Sequence, residues 1–313
     1  MRIYTIIRPK NLHNCVYEFI FERKFKMTIR RKNTIKGVLF ILPFLIGFLL
    51  FYIIPAGWSF LHSFTKGAGG TVYVGIENYV SVFKSSAFRI AAFNSFRFIL
   101  IGVPLLITLS FFISLVLYRK FRGASLFRSV FLYPLVVPIA ALVLVVNAFF
   151  SESGILNQLY AVLGLPMKDW LNSEVAFGIL ICLYIWKFSG YNIVLFLAGL
   201  NSIPEDFFQA AQIEGAKNRE IIKKITIPLL IPNFFFVFVI SVVNSFKCFR
   251  EAYLLGGTSP HKSIYMIQHF MNNNFQSLNY QRLSVAAIFI FLVISFLVFV
   301  LLILKNRQGK IEM

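Results

Sequence analysis

Six long apolar runs constrain this chain more than any other feature. Gly37 to Leu61, Phe98 to Tyr118, Val130 to Phe150, Val175 to Leu200, Ile227 to Phe249 and Leu283 to Leu304 are largely free of charge. Each is close to the roughly 20 residues that a helix rising about 1.5 Å per residue needs to cross about 30 Å of hydrocarbon. Lipid offers the backbone no hydrogen-bond partner, so such runs are predicted to be helices. Composition agrees: 58% of the residues are hydrophobic and 14% charged, against roughly 45–50% and about 25% in soluble domains. The predicted fold class is an all-α integral membrane protein with six transmembrane helices. Pro43, Pro104, Pro134 with Pro138, and Pro228 with Pro232 fall within the runs or at their edges and are expected to kink them.

The formal net charge is +19, from 31 Lys and Arg against 12 Asp and Glu. In a soluble chain this excess would point to nucleic acid; in a membrane chain it reports orientation, because Lys and Arg stay on the cytoplasmic side. About two thirds of the 31 lie in the segment up to and including Lys36, in Arg119 to Arg128, in Asn201 to Thr226 or from Lys305 onward. Those segments are therefore expected to be cytoplasmic, with both termini inside a multi-pass protein of the cell membrane. Residues 1–34 read as a basic cytoplasmic extension, residues 35–306 as the membrane domain and residues 307–313 as a short tail. Translation can start at Met1 or at Met27, which precedes Arg30, Arg31 and Lys32. Cys15, Cys182 and Cys248 are too scattered for a zinc site or a disulfide framework.

One inter-span segment, residues 201–226, carries structure of its own. Ser202 with Glu205 fits a capping box and Pro204 is tolerated in a first turn, which predicts a helix from Ile203 to Ile213. Gly215 ends it. A second, amphipathic helix is predicted from Ala216, with Ile221, Ile222 and Ile225 on one side and Lys217, Arg219, Lys223 and Lys224 around the rest. Ala210, Ala211, Gly215 and Ala216 keep the elbow between them slim. Two readings follow from physics: a rigid knob that another protein grips, or an interfacial helix resting on headgroups.

Gln209-Ala210-Ala211, three further residues and Gly215, then Ile227-Pro228, resemble the Glu-Ala-Ala loop of binding-protein-dependent ABC importer permeases. Gly75-Ile-Glu-Asn-Tyr79, Arg122-Gly123 with Phe127-Arg128, Gly154-Ile-Leu-Asn157, Leu163-Gly164 and Leu197-Ala-Gly-Leu200 before Ile203-Pro204 extend the resemblance from about Ile35 onward. The chain looks like the carbohydrate-type permeases, particularly the MalF-like and UgpA-like half of a pair. The resemblance implies a coupling loop around Gln209, Ala210, Ala211, Glu214, Gly215 and Pro228 that docks on a cytosolic ATPase. It also implies a second permease subunit of different sequence, two ATPase subunits, an extracellular solute-binding protein and a sugar as cargo. The chain departs from the family at Gln209, where the family has a carboxylate. An amide accepts a hydrogen bond but forms no ion pair, leaving Glu205, Asp206 or Glu214 to supply charge.

Within the fourth run, Lys187 is costly unless it finds a partner or water. Two readings stand: Lys187, Trp186, Tyr191 and Asn192 line the route of a polar solute, or Lys187 pairs internally and Trp186 only packs. Asn147, Asn244 and Lys247 are further pathway candidates, and Arg97 is expected to snorkel. Lys187, Lys247 and Arg250 would suit an anionic cargo, but Glu251 can neutralise Lys247 or Arg250, so a neutral oligosaccharide is expected. Glu251 to Arg282 reads as an external loop with a Gly256-Gly257-Thr258-Ser259-Pro260 turn and a helix through Ile264, Met266, Ile267 and Phe270. That segment either touches the solute-binding protein or packs as a lid. His261 and His269 are not an i, i+4 metal pair and read as surface or packing residues.

The sequence has no phosphate-binding G-x-x-x-x-G-K-[ST] loop, no H-E-x-x-H and no nucleophile elbow. No acidic residue falls within the six runs as bounded above, where a proton- or sodium-coupled carrier would need one. The chain is expected to be no enzyme and to hold no cofactor; ATP and Mg belong to the partner ATPase. The competing class is a membrane-anchored assembly or signalling protein that holds a cytosolic partner on the same knob without transport.

Overall fold

The structure, a computed structural model, describes residues 34–308 apart from 35, 68 and 119–122. The N-terminal extension up to residue 33, the choice between Met1 and Met27, and Arg122 lie outside the described residues. The chain divides into two compact units, Met1–Trp58 and Ser59–Met313.

The described part of the first unit belongs to helix α1 (Lys36–Ser63), whose large side chains Phe40, Phe44 and Phe51 are exposed. It widens to a π-helical turn over Leu49–Ile53, just before Pro55. Proline has no N–H to donate to the carbonyl four residues back, which opens the regular ladder there.

The second unit continues with a small antiparallel hairpin, β1 (Thr65–Lys66) and β2 (Val72–Tyr73), in which Thr65 faces Tyr73. The helices α2 (Glu77–Lys84), α3 (Ser86–Tyr118), α4 (Ala124–Val136), α5 (Ile139–Phe150), α6 (Ile155–Val162) and α7 (Val175–Ser202) follow. Next come α8 (Glu205–Ile213) and α9 (Asn218–Ile221). The chain then passes through a π-helical turn, Ile222–Thr226, and the single turn Ile227–Leu229 into α10 (Ile231–Lys247) and α11 (Phe249–Gly256). A 3-10 turn at Lys262–Ile264 leads to α12 (Ile267–Gln276) and α13 (Tyr280–Gln308), so the last helix runs past residue 306.

Among the described residues six segments are long and apolar enough to cross a membrane: Lys36–Ser63, Ser86–Tyr118, Ile139–Val162, Val175–Ser202, Ile231–Gly256 and Tyr280–Val300. Three differ from the sequence expectation. The second begins at Ser86 rather than Phe98, because Asn94 and Ser95 are satisfied by protein. Asn94 donates to the Lys262 and Tyr265 carbonyls (2.5 and 2.9 Å), and Ser95 accepts from the Ile267 amide at 3.0 Å. The third run is two helices. α4 ends at Val136 and Val137 is extended (φ −65°, ψ 130°), since Pro138 disfavours a helical conformation in the residue before it. The fifth reaches Gly256 and so takes in Glu251.

Helix α7 is the hub: 61% of its most apolar window is buried, against 17% for the sixth crossing segment. It packs on α3, α4 and α10. Its small residues permit the closeness. A Cβ on Gly190 would lie 1.8 Å from the Phe131 carbonyl oxygen on α4, and one on Gly199 would meet Asn233 and Leu230 at the start of α10. One core (Phe98, Leu106, Leu180, Tyr184, Phe188) surrounds the half of α7 nearer residue 175, and a second (Phe111, Phe196, Leu200, Leu230, Val237) the half nearer residue 202. Helix α12 packs through Ile267 and Phe270 on Phe88 and Val285, and Ile264 and Met266 enter the first core. The segment after Gly256 thus packs down on the bundle as a lid.

Candidate functional site

Two places concentrate polar chemistry. The first is the elbow between α7 and α10. α8 begins at Glu205 with Pro204 at its N-cap and no side-chain cap. The expected capping box does not form, because the Ser202 hydroxyl turns back to the Gly199 carbonyl at 2.7 Å. Glu205 and Asp206 occupy the first turn instead, where the exposed amide dipoles favour negative charge. At the other end Gly215 is left-handed (φ +78°) and the Ala216 amide donates to the Ala211 carbonyl at 2.9 Å, the closure that a left-handed glycine permits. Glu220 then accepts from the Lys217 amide at 3.1 Å and starts α9.

On this elbow Gln209, Ala210, Glu214 and Gly215 are exposed, Ala211 is buried and Pro228 is exposed. Two apolar side chains that the sequence reading passed over are also uncovered: Phe207 (51% exposed) and Ile213 (87%). Neither is covered by the rest of the chain. The only sequence signal for it was that both fall off the buried face set by Phe208, Ala211 and Ile221. A cleft of about 260 Å³ beside it is lined by Tyr118, Leu200, Phe208, Gln212, Ile222 and Thr226, among others.

The second place is the membrane interior. Lys187, mid-way along α7, forms a buried ion pair with Glu251 of α11. The pairing with Lys247 or Arg250 expected for Glu251 does not occur. A neighbouring base on the same helix lost to a distant one, because Glu251 lies on the face of α11 turned to α7. Of the two readings of Lys187, the internal pair is the one observed. Trp186 is 49% exposed and Tyr191 half-buried. Asn192 is fully buried and donates to Ser241 Oγ at 2.9 Å, with Tyr184 donating to the Ser241 carbonyl at 2.7 Å. Asn244 is buried as well, whereas Lys247 and Arg250 are exposed. The structure therefore brings Lys187, Asn192 and Asn244 into the packed interior and leaves Trp186, Lys247 and Arg250 on its surface. Arg97 does not simply snorkel: its guanidinium sits 4.2 Å from the centre of the Phe177 ring.

Several pieces of the family-like pattern prove to be loop fasteners. Asn78 donates to the Ser63 and Thr65 carbonyls (3.0 and 2.9 Å) and Tyr79 donates to Ser63 Oγ at 2.8 Å. Asn157, 1% exposed, donates to the Glu152 and Lys168 carbonyls and accepts from the Lys168 amide and Trp170 Nε1 at 3.0 Å. Arg128 donates to the Leu117 carbonyl at the end of α3. His269 is packed between Phe249 and Tyr265, and its Nδ1 accepts from the Met266 amide at 3.1 Å. Among the described residues no cluster of His, Cys, Asp or Glu is arranged to hold a metal ion.

A bundle of apolar crossing helices around one buried helix, with a stiff exposed elbow at one end, defines a multi-pass membrane protein of the transporter type. Residues 96–307 match the family described as binding-protein-dependent transport system inner membrane component, and the chain belongs to it. YesP of Bacillus subtilis, described as a probable ABC transporter permease protein, is 32% identical over 77% of this chain and 82% of its own length. AraP of the same organism, the arabinooligosaccharides transport system permease protein, is 31% identical over 69% of this chain and 71% of its own. MalF of Thermococcus litoralis, the trehalose/maltose transport system permease protein, is 31% identical over 72% and 78%. In fold, the chain superimposes on a bacterial ABC transporter that imports the acidic polysaccharide alginate, with a TM-score of 0.76 at 23% identity over 91% of this chain and 99% of the other. The relatives are permease components.

Proposed function

We propose that this chain is the membrane-spanning half of an ATP-driven importer for a sugar or oligosaccharide. It works with a second, different permease subunit, two cytosolic ATPase subunits and an extracellular solute-binding protein. The observation that carries the reading is the family match through the second to sixth crossing segments, joined to relatives whose names specify arabinooligosaccharides and trehalose/maltose. The alginate transporter has also been solved with its pentasaccharide-bound periplasmic protein, which supports the binding-protein partner.

In this reading the α8–Gly215–α9 elbow faces the cytosol and docks on the ATPase, which holds ATP and Mg. Ile213 and Phe207 seat in the ATPase cleft, and the Gln209 amide gives one hydrogen bond where the family has an ion pair. Docking then depends on shape and apolar contact, with Glu205, Asp206 and Glu214 adding charge at the rim. ATP-driven closure of the motor moves the elbow, and the continuous run from α9 into α10 passes that motion to the bundle. Tyr191 and the surface residues Trp186, Lys247 and Arg250 remain as the groups on the solute's route, while Lys187, Asn192 and Asn244 hold the helices that form it.

The test is uptake by the complete transporter in proteoliposomes with ATP inside and loaded binding protein outside. Transport should vanish when either is omitted. Ile213→Glu should lower sugar-stimulated ATP hydrolysis by about tenfold or more, the scale of an interface anchor worth at least about 1.4 kcal/mol. Uptake that persists without ATP, or an Ile213→Glu variant with full coupling, would overturn the proposal.

A further inference from the structure

The fifth crossing segment, Ile231–Gly256, has two faces. Val237, Ser241, Val242, Asn244, Ser245, Cys248, Glu251 and Ala252 are buried against the rest of the bundle, whereas Phe236, Val243, Lys247, Arg250 and Leu254 form an uncovered stripe at spacings of seven, four, three and four. Two cations therefore stand in a stripe whose other members are apolar. Lys247 lies only roughly 5 Å along the axis from the midpoint of the segment, and Arg250 roughly 10 Å. A charged side chain facing lipid is costly at the depth of Lys247, though Arg250 lies within reach of the headgroups, and a stripe carrying both suits a polar conduit or another polar surface better than lipid.

The basic residues on the crossing helices differ in how they are satisfied. Lys187 has Glu251, Arg89 donates to the Lys84 carbonyl, Arg97 has the Phe177 ring and Arg282 lies 5.8 Å from the centre of the Phe270 ring; Arg128, on α4 outside the six crossing segments, has the Leu117 carbonyl. Lys247 and Arg250 have no hydrogen-bond, ion-pair or ring partner among the described residues. Glu251 is the buried carboxylate of the crossing segments described, and Lys187 has taken it; Glu152, also within them, is exposed in the turn between α5 and α6. A neutral sugar moving along this stripe would leave both cations without a counter-charge. We infer that the cargo of this importer is an anionic saccharide, its negative group met by the Arg250 fork and the Lys247 ammonium. This rests on the sugar-importer reading above and narrows it.

The experiment uses the complete transporter in proteoliposomes and two sets of probes matched in length. One set is anionic (oligogalacturonates, oligoalginates and sulfated disaccharides) and the other neutral (malto-, arabino- and xylo-oligosaccharides). The expected result is uptake of an anionic member about tenfold or more above every neutral one, the discrimination one charge-assisted contact supplies. Lys247→Gln with Arg250→Gln should reduce that ratio by a similar factor, and Lys247→Arg should retain it. A neutral sugar carried best overturns the inference and leaves the importer reading intact; ATP-dependent uptake of no member of either set defeats the sugar reading itself. If the double variant instead falls apart from the second permease on purification while its charge preference is unchanged, the two cations belong to a subunit contact and the inference is wrong.

Discussion

Lys187 and Glu251 are 64 residues apart in sequence and meet in the buried interior. Nothing local marks Glu251 as the partner: Lys247 and Arg250 are both nearer along the chain, and only the rotation of α11 against α7 selects Lys187. Removing one member leaves the other charged and buried, so Lys187→Met and Glu251→Met should each lower stability by about 3–5 kcal/mol. The double change to Met should recover much of that loss, and thermal unfolding of the detergent-solubilised protein in a double-mutant cycle measures the difference. His269 gives a second test at this scale. It is fully buried outside the crossing segments, and burial pushes its pKa down to about 4. Its Nδ1 must remain unprotonated to accept the Met266 amide that starts α12. The unfolded chain takes up this proton near pH 6.5 and the folded chain only near 4, so the histidine's contribution is present above about 6.5 and falls away as the pH drops towards 4. The loss should reach roughly 3 kcal/mol, with hydrogen exchange rising first in residues 262–276, and His269→Gln should flatten the dependence.

The crossing helices were the most legible elements, because an apolar run of sufficient length leaves the backbone one solution in lipid. Their ends and breaks were less so. Pro138 announced a kink, but the extended Val137 that splits the third run needed the backbone geometry, and Ser86 to Arg97 looked too polar to belong to a crossing helix until Lys262, Tyr265 and Ile267 supplied its hydrogen bonds. At the elbow, Gly215 was readable as the break, while the capping box failed because Ser202 found an acceptor in its own helix. The tightest contact between elements was legible only as a small residue. At Gly190 the α4 backbone lies where a side chain would go. Gly190→Ala should therefore force α4 and α7 apart rather than rotate a side chain. The expected cost is at the upper end of the 1–3 kcal/mol usual for overpacking or above it, read as a fall in detergent melting temperature with loss of transport. Gly215→Ala meets no atom within 4 Å but must hold a φ of +78°. It should cost only about 1 kcal/mol, so a large coupling defect from that change would have to arise at the proposed ATPase contact.

For the whole molecule, the distribution of charge and the position of the elbow make one joint demand. Cytosolic docking requires the α8–α9 elbow to lie on the side where the basic loops are held, and six crossings then put the lid from Gly257 to Asn279 on the opposite side. The exposed bases near the lid end include Lys66, Lys84, Arg89, Lys168 and Lys262, and two of them stand beside carboxylates: Lys66 pairs with Glu77, and Lys262 lies 3.7 Å from Glu174. On the elbow Lys217, Arg219 and Lys223 have no such partner among the described residues, which leaves them able to resist translocation. Single cysteines test the arrangement in a background lacking Cys15, Cys182 and Cys248. Ser259→Cys, exposed on the lid, should react with a membrane-impermeant maleimide in intact cells, and Glu214→Cys, exposed on the elbow, only after lysis. Labelling in the reverse order would place the elbow outside the cell, beyond the reach of any cytosolic motor, and both the coupling role of Ile213 and the inward direction of transport would fall with it.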